Sequence, residues 1–450
     1  MSHKQKLHTP CIAHLHECAY SCSFVQQYTH CGRCETTMPP NASLLGTTRS
    51  PATILSRARW ATRMQFLNLG FVAGMWGVHV PSIKARYALD ERTLAMALLA
   101  MSVGSVLTLT IAGRMVGRLG ARNTSMLTGW GFCIALALSI VVPGFWVLVP
   151  VLMLLGASES VFDVAINAEG TTLETLSGRG VMSGFHGMFS LGAMLGAGSA
   201  ALMLREAISP AMQLIVVGSV IAVSIAVSSR GMLETHPVSD ASQAHFTWPK
   251  GTLLLIGMLI CFGMLAEGVM YNWSVLYVNQ ELGAPQERAA LAYVAFAGAT
   301  AAMRFAGDSV RARVSERTML LVGPALAAAA MLLVLLAAKP WVAMAGFALV
   351  GVGLATVVPI LYNAATRIPG VSRAAAIASV SSIGYLGFMV GPPIIGGLAH
   401  ATSLTVAMGT LVVASLILMA GARRVPDAAP PASARAPRSS GTLAPQQSGN

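Results

Sequence analysis

The segment GASESVFDVAINAEG, residues 156–170, sets Glu159, Asp163 and Asn167 at i, i+4 and i+8. It continues the apolar run FWVLVPVLMLL without a turn signal, so the three side chains share one face of one helix. A charged group in hydrocarbon costs at least about 2.5–3.5 kcal/mol, so acids in membrane helices face protein or water and mark proton relays or ligand sites. Glu267, within LAEGVMYNWSV, is a second group of this kind, with Tyr271 at i+4 and Asn272 and Trp273 just beyond. The chemistry on offer is proton loading and release, or hydrogen bonding to a polar ligand. A neutral glutamate tying two helices together is the structural alternative for Glu267, and Asp163 could equally hold a gate shut. His186 can switch with an acid partner near neutral pH, or hydrogen-bond as a structural group. Trp76, Tyr362 and Asn363 supply the aromatic faces and amides that suit polyhydroxy or amide-bearing ligands. Aromatics in membrane helices also serve as interface or packing groups.

Such groups have to be positioned by membrane helices, and the composition predicts them. The chain has 450 residues, 55% hydrophobic and 10% charged, where a soluble domain carries roughly 25% charged residues. Apolar stretches of about 20 residues predict an all-α polytopic membrane protein with twelve spans. They fall at 62–83, 92–113, 124–145, 146–168, 181–204, 208–229, 251–275, 288–308, 317–338, 341–364, 374–398 and 402–422. The longest connection falls between the sixth and seventh. The expected organisation is therefore a 56–229 bundle, a 230–250 linker and a 251–424 bundle of six spans each. Residues 1–55 and 425–450 flank it as extensions without apolar periodicity.

The net charge of +12 does not indicate nucleic acid. With the N-terminus inside, Arg57, Arg59, Arg63, Arg114, Arg118, Arg122 and most other basic residues fall inside, whereas Lys84, Arg86, Arg92, Arg205, Arg288 and Lys339 fall outside. That asymmetry predicts both termini in the cytoplasm. Five of the seven cysteines and five of the ten histidines lie in residues 1–34. The C-x3-C-x8-C-x2-C spacing of Cys18, Cys22, Cys31 and Cys34 could hold zinc. The segment equally fits an unstructured extension, or a start at Met38 or Met64. No metal is expected in the membrane region. The tail after Arg424, rich in Pro, Ala and Ser, reads as disordered.

The two halves echo each other in order. Trp76 aligns with Trp273, and the Glu91-Arg92 and Glu287-Arg288 pairs each open the next helix. AGRMVGR meets AMRFAGD, so Arg114 matches Arg304 and Gly117 matches Gly307. DVAIN meets PILYN, pairing Asn167 with Asn363. Gly192-x3-Gly196 matches Gly387-x3-Gly391. A duplicated six-helix unit follows, and such repeats rock about a site near the membrane midplane. The glycine pairs permit close helix contact.

With twelve spans, two parallel repeats and a longer central loop, residues 55–425 resemble the major facilitator superfamily. The loop GRMVGRLGAR carries Gly113, Arg118, Gly120 and Arg122 of that family's signature, with Gly117 where the acid belongs. The second-half counterpart RFAGDSVRAR keeps an acid, Asp308. The resemblance thus implies a gating loop drawing on Gly113, Arg114, Arg118, Gly120, Arg122, Arg304 and Asp308, altered in the first half. DVAINAEG, HGMFSLG and EGVMYNWS are similar to the bacterial MosC-like permease branch. The family fold implies that the first, fourth, seventh and tenth spans line a central cavity, with Glu159 near the midplane and Asp163 a turn nearer the cytoplasm.

The expectation is a secondary active carrier of a small polar solute (sugar- or inositol-like, or amine-like), proton-coupled and working by alternating access. It would be a monomer in the bacterial inner membrane, with the solute, protons and the lipid bilayer as partners and no cofactor. The alternatives are an efflux permease for amphipathic compounds, or a sensor on the same fold. GFMVGPPIIGG resembles the glycine-proline motif of drug antiporters. It lies in the eleventh span, however, and the fifth reads GAMLGAGSA without proline, which weighs against multidrug export. The chain has no GxxxxGK[ST], HExxH or GxSxG motif, so neither ATP-driven transport nor an enzyme is expected.

Overall fold

A computed structural model of the chain describes residues 51–234 and 249–426. The cysteine-rich segment with its zinc spacing, most of the expected linker and the C-terminal tail lie outside the described residues. The helices are α1 (Pro51–Arg86), α2 (Glu91–Leu138), α3 (Phe145–Ser177), α4 (Met182–Arg205), α5 (Pro210–Ser229) and α6 (Gly251–Gln280). The second half continues with α7 (Gln286–Arg311), α8 (Glu316–Ala337), α9 (Pro340–Leu354), α10 (Val357–Ala365), α11 (Arg373–Ala401) and α12 (Leu404–Ala422).

Several helices start where a side chain can satisfy the free N–H groups of the first turn. Asp90 accepts from Thr93 N at 2.8 Å, and Ser315, Ser372 and Ser403 cap α8, α11 and α12 in the same way. Ser209 caps α5, which carries proline at its first position. Glycine ends α3, where Gly178 takes φ 61°.

Among the described residues, eleven helical segments are long and apolar enough to cross a membrane. They account for the twelve expected spans because α2 carries two of them. Its 48 residues would reach about 70 Å if straight, more than twice the hydrocarbon thickness. Yet Tyr87, just before α2, donates to Ser139 O at 3.1 Å and Val142 O at 3.2 Å, just after it. The helix therefore doubles back, and it does so at Gly120, whose φ of 77° and ψ of 158° belong to a region open essentially to glycine alone.

Two span boundaries are corrected. The third span ends at Leu138 rather than 145, and a bend precedes α3. The tenth is broken, with α9 and α10 meeting at Ala355–Thr356. Pro359, in the first turn of α10, has no N–H and leaves the carbonyl of Ala355 without its helical partner. That carbonyl reappears in the site.

The outer surface is apolar, with Leu336 76% exposed, Leu202 64% and Val223 64%. These faces meet lipid, and exposed Trp146 and Trp341 each stand second in their helix, where an amphipathic ring meets the headgroups. Packing inside relies on small residues. A Cβ at Gly70 or Gly74 of α1 would run into the backbone of Phe189 or Ala193 in α4. One at Gly192 or Gly196 of α4 would run into that of Leu67 or Phe71 in α1. The expected glycine contact thus holds in the first half. In the second, Gly387 touches the backbone of Cys261 in α6, but nothing lies within 4 Å of a Cβ at Gly391.

Candidate functional site

The halves meet through α1 with α6 and α7, α2 with α11, and α4 with α7. Trp76 Nε1 of α1 donates to Asn272 Oδ1 of α6 at 3.1 Å, and Ser102 of α2 donates to Phe388 O of α11 at 3.1 Å. In α4, Ser183 donates to Arg304 O of α7 at 2.9 Å.

Arg304 is the centre of this arrangement. Its Nη2 lies 3.4 Å from Glu267 Oε1 of α6, with both side chains largely buried at 10% and 14% exposure. Its Nη1 donates to Ser190 Oγ of α4 at 2.8 Å, from the other half of the chain. Its Nε points at Ala355 O at 3.5 Å, the carbonyl that Pro359 deprives of a helical partner. A guanidinium offers five donors in a rigid fork, which suits it to hold acceptors on α6, on α4 and at the break between α9 and α10. Arg304 therefore does not sit in a gating loop: α7 runs on to Arg311, and the side chain turns into the protein. Its repeat counterpart Arg114 is exposed.

Tyr271, one turn beyond Glu267, packs edge-on to Phe189 of α4 at 6.2 Å and to Phe296 of α7 at 5.5 Å. Asn272 also donates to Gly268 O at 3.1 Å. Trp273 departs from expectation: it is 1% exposed in the apolar core.

The α3 stripe lies as expected on one face, and exposure rises along it from half-buried Glu159, Asp163 and Asn167 to exposed Thr171. Asn167 Nδ2 donates to both Asp163 Oδ1 and Asp163 O at 2.9 Å. Among the described residues no cation pairs with Glu159 or Asp163. Tyr362 and Tyr385 of the second half lie within electrostatic reach of Asp163, and Ser381 donates to Tyr362 Oη at 3.1 Å. Asn363, at the repeat position of Asn167, is exposed. Among the described residues His186, on the helix that carries Ser190, has no acid partner; its ring packs edge-on to Phe66 of α1 at 5.4 Å. In the first-half loop, Gly113, Arg118 and Gly117 are exposed and Arg122 reaches Glu234 at 3.3 Å. Asp308 falls within α7.

The residues that sequence reasoning missed are Ser190, Tyr385 and the Ala355 carbonyl. Only the last had a local signal, the proline four residues on. No group of three or more His, Cys, Asp or Glu residues that could hold a metal occurs among the described residues.

A family model described as Major Facilitator Superfamily matches residues 253–447. An uncharacterized MFS-type transporter of Yersinia pestis is 32% identical over 370 residues, covering 81% of this chain and 95% of that protein. Membrane protein MosC of Rhizobium meliloti is 29% identical over 363 residues, covering 80% and 88%. The crystal structure of a D-xylose-proton symporter superposes with a TM-score of 0.66 at 13% identity, covering 81% of this chain and 97% of that one. That of the nucleoside transporter NupG gives 0.63 at 13%, covering 83% and 99%. At that identity the likeness is one of fold.

Proposed function

Because the chain belongs to the major facilitator superfamily and is a multi-pass membrane transporter, we propose that it is a secondary active carrier. In this reading it moves a small polar solute, sugar- or inositol-like or amine-like, by alternating access coupled to protons. The observation that carries it is the Glu267–Arg304 pair, bridged to Ser190 of the other half. An ionised carboxylate holds the guanidinium where it donates to Ser190; a protonated one frees it to move, which weakens that tie to the other half. Proton binding and the relation of the halves are then one equilibrium, which is what coupling requires.

The carboxyls Glu159 and Asp163, which have no cationic partner among the described residues and lie within electrostatic reach of Tyr385 in the second half, would supply acceptors for hydroxyl or ammonium groups of the solute. Tyrosine faces suit either class, through packing against apolar sugar faces or through cation–π contact. The basic residues gather at the end that holds the Gly120 bend and Arg230, and this supports a cytoplasmic placement of that end in a bacterial inner membrane. Gly113, Arg114, Arg118, Gly120, Arg122 and Asp308 would form the gating region at that end.

The test is purified protein in liposomes, screened with labelled sugars, inositols and amines under an imposed pH gradient. Accumulation that follows the gradient supports the reading, and flux indifferent to it removes proton coupling. Preference for apolar cations would favour the efflux alternative.

A further inference from the structure

At the end of the molecule opposite the arginine-rich one, the halves are joined by a run of buried and part-buried hydrogen bonds centred on a histidine that the proposed transport chemistry does not use. His79 of α1 is 0% exposed. Its Nε2 lies 3.0 Å from Gln213 Oε1 of α5, and its Nδ1 lies 3.2 Å from Ser82 Oγ. Gln213 is fixed in orientation because its Nε2 donates to Ile208 O at 2.8 Å, which leaves Oε1 to accept. His79 Nε2 must therefore carry the hydrogen, and Nδ1 is the acceptor. Ser82 then gives its hydroxyl hydrogen to Nδ1 and turns a lone pair outward.

What takes that lone pair is Gln286, the first residue of α7 in the other half. Its Nε2 donates to Ser82 Oγ and to Val78 O, each at 2.8 Å. The arrangement is unusual for this chain. Its helical serines commonly return their hydroxyl to the carbonyl four residues back, as Ser102, Ser105, Ser190, Ser219 and Ser382 do. For Ser82 that carbonyl is Val78 O, the second acceptor of Gln286. His79 draws the Ser82 hydroxyl away from it, so both acceptors stay open to the other half. Lys84 reinforces the same seam, bonding Glu91 Oε1 at 2.6 Å and Gln280 Oε1 of α6 at 3.0 Å.

We propose that His79 is a positioning residue for a latch between the halves: by taking the Ser82 hydroxyl hydrogen it presents Ser82 Oγ and Val78 O to Gln286, and release of Gln286 accompanies opening at this end. The proposal rests on the alternating-access reading. His79 and Ser82 belong to the first half and only Gln286 crosses. The His79–Ser82 arm can therefore stay intact through the cycle while the Gln286 arm breaks and re-forms.

Two substitutions of the same residue separate a latch role from a packing role. Asparagine at 79 sets an acceptor where Nδ1 was, and so keeps the Ser82 hydroxyl off Val78 O. Glutamine at 79 sets a donor where Nε2 was and leaves Ser82 free to turn back onto Val78 O. The readout is the distance between nitroxide labels on Glu206→Cys and Lys339→Cys, both exposed. It is measured by pulsed electron resonance in an otherwise cysteine-free chain without substrate. Gln286→Ala, Ser82→Ala and His79→Gln should each enrich a longer-distance population by about 3- to 10-fold, the effect of losing one hydrogen bond. His79→Asn should match the parent. If His79→Asn and His79→Gln shift the distribution alike, or if none of the four variants shifts it, the latch is overturned. Wild-type flux in liposomes keeps the two ideas apart. Active flux with unchanged distances sinks the latch alone, whereas shifted distances without flux of any solute sink the carrier reading and leave the latch standing.

Discussion

Arg304 and Glu267 face each other at 3.4 Å on neighbouring helices, and the same guanidinium reaches Ser190 across the halves at 2.8 Å. Because both ionic partners are largely buried, each charge depends on the other. Removing one partner of such a pair costs about 3–5 kcal/mol, whereas replacing both is often neutral. Glu267→Gln and Arg304→Gln should each lower thermal stability in detergent, and the double variant should recover most of the loss. Additive losses would show that the charges do not depend on one another. In liposomes the double variant should lose gradient-driven accumulation and retain exchange of solute down its own gradient.

Asp163 behaves differently because its partner is a neutral amide. Asparagine at 163 still offers an oxygen to Asn167 Nδ2, so Asp163→Asn should leave thermal stability within about 0.5 kcal/mol of wild type, as for a change that strands no partner. Its effect should fall on transport, slowing accumulation and exchange alike if the carboxyl serves the gate. Unchanged rates in both modes would make the stripe a structural feature whose polar groups satisfy one another.

Much of this was legible in the sequence, and the parts that were not share a cause. Hydropathy gave the membrane segments because every span must be apolar whatever it packs against. The acids stood out because hydrocarbon makes them costly. Arg304 was read with Arg114 because the repeat aligns them, but a repeat preserves backbone and not the direction of a side chain. In α7 the guanidinium finds Glu267, Ser190 and the carbonyl freed by Pro359; in α2 Arg114 stays exposed. Trp273 was paired with Trp76 on the same grounds; Trp76 bonds Asn272 across the halves, while Trp273 is buried in the apolar core. The doubling back of α2 was legible as two spans, while its pivot was one glycine among 44.

That pivot gives a clean backbone test. A Cβ at Gly120 would meet nothing within 4 Å, and the same holds for Gly117 three residues earlier. The two differ in conformation, since only Gly120 has a positive φ in this helix. Gly120→Ala should therefore destabilise the protein by about 1–3 kcal/mol, the cost of a residue held in a sparsely populated region. Gly117→Ala should be neutral or slightly stabilising. Thermal unfolding of both variants decides it, and equal effects would assign the bend to its surroundings.

Asp90 supplies a pH dependence outside the membrane segments. Hydrogen bonds from the Thr93 hydroxyl and backbone N–H hold its carboxyl below the ordinary value of 3.8. A depressed folded-state value means that the cap contributes fully above the unfolded value and is lost as pH falls through the folded one. Asp90→Ala should therefore lower the melting temperature at neutral pH. The gap from wild type should persist to pH 4 and close only below the usual aspartate range. A gap that closes already near pH 5 would mean that the cap does not hold the carboxylate.

The glycine seam between α1 and α4 sets the sharpest contrast with the repeat. In the repeat Gly192 matches Gly387 and Gly196 matches Gly391, yet a Cβ at Gly196 would meet the backbone of Phe71 whereas one at Gly391 meets nothing within 4 Å. A methyl at Gly192 would collide with the backbone of Leu67, which cannot rotate away as a side chain could, so α1 and α4 would have to part along the seam. Overpacking of this kind costs about 1–3 kcal/mol and more when backbone is the obstacle. A methyl at Gly391 enters open space. Gly192→Ala and Gly196→Ala should reduce the yield of folded protein and its melting temperature, Gly387→Ala should do the same through Cys261 of α6, and Gly391→Ala should leave both unchanged. Loss at Gly391 equal to that at Gly192 would mean that helix propensity or lipid contact, rather than helix approach, governs these positions.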